Sequence, residues 1–67
     1  MSDEAFFERM ADDVAERLQK GTKFYDAVER TMKKFGVYRD NPETKSYYCK
    51  NIGRILGARR KRQQTAR

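Results

Sequence analysis

Apolar residues recur at three- and four-residue steps in three separate stretches of this chain, each closed by a glycine or opened by a proline. In the first stretch Phe7, Met10, Val14 and Leu18 mark one side of a helix, and Ala11 and Ala15 widen the stripe. Ser2 or Asp3 can accept from the free N–H groups of its first turn, where Asp3 and Glu4 also meet the positive end of the dipole. Lys20 and Gly21 supply a cationic last turn and a stop, so the pattern predicts a helix over residues 3–20. In the second stretch Phe24, Tyr25, Val28, Met32 and Phe35 share a face, Thr22 stands where an N-cap belongs and Gly36 ends the run, which predicts a helix over 22–35.

The third start is the sharpest local signal. A residue before proline is pushed into extended backbone, which an N-cap needs, so Asn41 caps, Pro42 fills the first helical position and Glu43 faces the dipole. The predicted third helix runs over 42–58. Residues 36–41 form a loop whose Val37 and Tyr38 tuck against the core, and the joint at Gly21-Thr22 is so short that the first two helices must lie antiparallel or steeply crossed. The fold class is therefore all-α: a small three-helix domain over 1–58 followed by a basic tail over 59–67. That tail is expected to fray after Gly57, because a continuing helix would carry Arg59 to the apolar stripe, where only its stem could pack.

Stepping by about 100° per residue divides the third helix into faces. Tyr48, Ile52, Ile55 and Leu56 fall on one side, and Tyr47, Lys50, Asn51, Arg54, Ala58 and Lys61 on the other. Beside the apolar stripe run Ser46, Cys49, Gly53 and Gly57. Two glycines inside a helix cost about 1 kcal/mol each relative to alanine, and close approach of another helix is the expected compensation.

Charge changes this picture more than composition does. The chain has 67 residues and a net charge of +6, and the charge is segregated. Residues 1–20 carry six acids against three bases, whereas the 24 residues after Glu43 carry eight bases and no acid. Ordinary helix surfaces intersperse both signs. A one-signed positive surface suits a polyanion, since each base that neutralises a phosphate releases condensed counterions. Lys50, Arg54 and Lys61 are the candidate phosphate contacts, Asn51 and Tyr47 can reach base edges, and Arg59, Arg60, Lys61 and Arg62 form a cationic arm. Tyr48 reads as core, Tyr25 and Tyr38 as packing residues, and Asp12, Asp13 and Glu16 as a solvated face that repels phosphate and so leaves the third helix toward the strand.

The expected function is nucleic-acid binding, with duplex DNA in the major groove favoured over RNA and transcription regulation as one use. Neutralising about five phosphates would give a slope near −4.5 in log K against log salt. The alternative is a small adaptor or inhibitor that sets its basic arm, or the glycine-lined strip, on an acidic protein surface. A core this small would also gain from a homodimer interface. Catalysis, a cofactor, a metal and a small-molecule substrate are not expected: histidine is absent and the one thiol, Cys49, has no partner with which to build a metal site or a nucleophile pair. Cys49 reads as a small buried hydrophobe. No apolar run approaches the ~20 residues that span a bilayer, and a lone cysteine without a charged start and apolar run places the chain in the cytoplasm.

Overall fold

Both glycines that close the first two apolar stretches adopt left-handed backbone, Gly21 at φ 96° and Gly36 at φ 75°, a region glycine enters at little cost. The computed structural model describes residues 3–65, with side chains through Arg62, as three helices: α1 Asp3–Gln19, α2 Phe24–Lys34 and α3 Pro42–Thr65. The expected all-α, three-helix fold is what forms. Ser2, one of the two expected caps of α1, lies outside the described residues, as do residues 66 and 67 of the basic tail.

Each glycine closes its helix by the same pair of bonds. Gly21 N–H donates to the Leu18 carbonyl at 3.0 Å and Thr22 N–H to the Arg17 carbonyl at 3.0 Å; Gly36 N–H donates to Lys33 at 3.2 Å and Val37 N–H to Met32 at 2.9 Å. The expected N-cap of α2 is displaced by one residue. Lys23, in extended backbone at φ −69° and ψ 152°, occupies the N-cap instead of Thr22: its carbonyl accepts the first helical bond from Ala27 N–H at 2.8 Å, and its side chain makes no cap bond. At α3 the expected cap is present, with Thr44 N–H donating to Asn41 Oδ1 at 2.7 Å.

The core joins one face of each helix: Phe7, Met10, Ala11 and Val14 from α1, Ala27, Val28 and Met32 from α2, and Ile52 and Ile55 from α3. Leu18, Phe24, Phe35, Val37, Tyr38 and Tyr48 pack around them, half-buried. Tyr25 departs from its expected place and is 76% exposed. It lies about 100° around the axis from Phe24, while Ala27 and Thr31 face inward. Thr31 is fully buried because its hydroxyl donates to Asp13 Oδ2 at 2.7 Å. The same carboxylate accepts from Arg17 Nε at 2.9 Å and Lys34 Nζ at 3.1 Å. Burial alone would raise the Asp13 pKa, but the bonds from Arg17, Thr31 and Lys34 outweigh it and bring it down to about 2. A residue expected on a solvated face thus clamps α1 to α2.

α3 also runs beyond its expected end at residue 58. The helix continues through Thr65, and at 1.5 Å per residue its 24 residues span roughly 36 Å against about 16 Å for the 11 of α2. Arg59 does reach the core side of the helix, as continuation requires, but its guanidinium is met there by Glu8 Oε1 at 2.6 Å and Asp12 Oδ1 at 2.9 Å. α1 packs extensively on both of its neighbours, whereas α2 and α3 touch each other least. That lesser contact leaves a groove between them.

Candidate functional site

The cations of α3 separate into two groups according to which neighbouring helix they approach. On the α1 side, Arg54 Nη2 lies 3.5 Å from Glu4 Oε1, with both side chains more than half exposed. Arg59, held by Glu8 and Asp12, is bound more tightly; the Glu8 hydrogen bond, followed by Asp12, keeps its pKa above the usual arginine range against the opposing effect of burial. These pairs overturn the expected unbroken positive stripe. The carboxylates responsible come from the acidic opening segment, whose face was expected to point at solvent.

On the α2 side the surroundings are different. A hollow of about 520 Å³ opens between Phe24 and Tyr25 of α2 and Pro42, Lys45, Ser46, Cys49 and Lys50 of α3. A second, of about 220 Å³, adjoins it at Phe24 where the end of α1 meets the other two helices, between Leu18, Phe24, Gly53, Leu56, Gly57 and Arg60; Arg60 also borders a hollow of about 340 Å³ with Ala15, Leu18 and Gln19 of α1. The charged side chains on the walls of the first two are Lys45, Lys50 and Arg60, and no acid lines either one. Lys45 is tied to Asp40 at 3.3 Å across the groove's upper rim. Two carboxylates stand at its edges: Glu29, paired with Lys33 at 3.4 Å, lines a small hollow that shares Tyr25, Lys45 and Cys49 with the first, and Glu43 lines one that shares Pro42, Ser46 and Lys50 with it.

The glycines contribute to this groove in unequal ways. A methyl group added at Gly53 would stand 3.6 Å from Phe24 Cζ, so a ring rather than a helix backbone packs there, while one added at Gly57 would meet nothing within 4 Å. The close helix approach expected at both is therefore not made within the chain. Cys49 sits half-buried at the groove wall and packs against the core, and burial pushes its thiol pKa up, which keeps it protonated and a poor nucleophile.

The remaining expected contacts are dispersed. Asn51 Nδ2 donates to the Tyr47 carbonyl at 2.8 Å, which takes one of its two amide protons into its own helix. Tyr47, 52% exposed, is not opposite Tyr48 as the 100° stepping suggests but beside it, with ring centroids 5.5 Å apart and both rings against Phe7. Arg60, Lys61 and Arg62 stand exposed on the last turns of α3. Sequence reasoning missed the wall of the groove, Phe24 and Tyr25, whose signal is the offset of Tyr25 from the inward face of α2. Among the described residues, no three His, Cys, Asp or Glu side chains gather to hold a metal ion, and no helix is long and apolar enough to cross a membrane. The chain matches no protein-family model, no curated protein and no solved structure.

Proposed function

We propose that this chain binds nucleic acid along the part of α3 that turns away from α1. The observation that supports this reading is the position of Lys50 and Arg60, exposed on α3 beside a groove lined by cations and apolar side chains, with Glu29 and Glu43 only at its edges. Lys45, on the same wall, adds a third cation when its exposed contact with Asp40 at 3.3 Å opens. Arg54 adds to these when its loose contact with Glu4 opens, since an exposed pair of this kind is worth about 1 kcal/mol or less. Arg59 is committed to the fold. Lys61 and Arg62 extend the same cationic end. Binding draws its free energy from counterion release, and α1, with its carboxylates on the far side, orients the molecule by repulsion.

The test is fluorescence anisotropy of a labelled oligonucleotide against salt. About three neutralised phosphates give a slope of roughly −2 to −3 in log K against log salt, shallower than the −4.5 that counting bases in the sequence suggests. Absence of binding at low salt, or a flat response, overturns the proposal.

A further inference from the structure

We infer that the nucleic acid is single-stranded and lies in the α2–α3 groove, with a base stacked on Tyr25. This rests on the nucleic-acid reading above and names its substrate class. Two independent observations carry it.

The first is the charge on the two sides of α3. A helix inserted in the major groove of a duplex, about 12 Å wide, has phosphates along both flanks. Here one flank presents Glu4, Glu8 and Asp12, which already occupy Arg54 and Arg59. Duplex phosphates would be driven against those carboxylates. A single strand meets one flank and avoids them.

The second is the chemistry of the groove. Phosphates alone need no apolar wall, yet this groove is walled by Phe24, Tyr25 and Pro42 between its cations. Tyr25 is 76% exposed, and the ring of Phe24 stands edge-on to it at 5.6 Å between centroids, which supports Tyr25 from within and leaves its outer surface open. An aromatic platform beside a cationic track is how unstacked bases are held, because every base offers a π-face while a duplex hides it. Lys50 and Arg60, ten residues apart on one helix, are separated by roughly 15 Å along its axis, so they can hold a strand on both sides of a base seated in the groove. Gly57, with open space above it, lets the backbone of the strand come close to α3 between those two cations.

The experiment uses the full chain, an oligothymidylate of about 15 nucleotides, and a duplex of the same length. Anisotropy reads affinity for each, quenching of tyrosine fluorescence, compared between parent and Tyr25→Ala, reads stacking on Tyr25, and Tyr25→Ala, at an exposed position, tests the stack without disturbing the core. The expected result is tighter binding of the single strand, roughly tenfold weakening of that binding by Tyr25→Ala, no change in duplex binding, and quenching of tyrosine fluorescence by the oligothymidylate that Tyr25→Ala removes. Equal affinity for duplex and single strand with no effect of Tyr25→Ala overturns this inference and leaves the nucleic-acid reading standing. Binding of neither removes both. A nuclease-resistant protein partner whose binding depends on Tyr25 assigns the groove to protein and also overturns it.

Discussion

The two flanks of α3 carry similar charge in sequence and behave differently in space. On the α1 flank, Arg59 is held by the carboxylates of Glu8 and Asp12 and joins the helices, and Arg54 makes a looser, exposed contact with Glu4. On the α2 flank, Lys50 borders an apolar groove with Glu29 and Glu43 only at its edges, and Arg60 stands exposed where that groove meets the end of α1. The cause lies in how tightly α3 packs against each neighbour. Where α1 lies close, its acidic face is brought into range; where α2 touches α3 least, a gap opens and the cations keep facing water. Counting bases along a chain treats all of them as available, and the fold decides which of them are.

The largest effect should come from reversing the open flank. Lys50→Glu combined with Arg60→Glu is expected to weaken oligonucleotide binding by about a hundredfold at low salt, while the melting temperature stays close to that of the parent because both side chains are on the surface. Retained affinity in this variant would mean that the α2 flank is not the binding surface.

A smaller effect, on stability alone, should come from the clamp that sets α1 in place. Asp13→Ala leaves the buried Thr31 hydroxyl without its acceptor and releases Arg17 and Lys34, at a cost of about 2 kcal/mol. In a domain of this size that lowers the melting temperature by on the order of 10 °C. The pH dependence has a definite sign. The folded-state pKa of Asp13 is depressed to about 2, so its contribution is complete above the ordinary carboxylate range near 4 and is lost as pH falls from there through about 2. Thermal melts of parent and variant should therefore converge in that interval. A melting temperature for Asp13→Ala equal to the parent's at neutral pH would show that the clamp does not hold α1.

Much of the frame was legible because its signals are local. Asn41, Pro42 and Glu43 announce α3 within three residues, and Gly21 and Gly36 mark helix ends whose bonds reach back only three to five positions. The misjudged details depend on neighbours. Thr22 looks like a cap until the helix begins one residue later, with Lys23 accepting its first bond, and Tyr25 looks like core until the inward face of α2 settles on Ala27 and Thr31. The cations of the candidate site could be named from the sequence, but not their arrangement. Lys50 and Arg60 stand out as cations in the sequence, but the loss of Arg59 to the fold depends on Glu8, 51 positions earlier. The end of α3 follows the same rule, since a helix expected to stop before Arg59 continues once distant acids receive that side chain.

The most direct test of the difference between the flanks is a pair of salt titrations, Lys50→Ala and Arg59→Ala, each against the parent with the same oligonucleotide. Lys50→Ala should make the slope of log K against log salt shallower by about 0.7 to 0.9, one phosphate contact, and Arg59→Ala should leave the slope unchanged while lowering the melting temperature. A loss of slope in Arg59→Ala equal to or greater than that in Lys50→Ala would contradict the account.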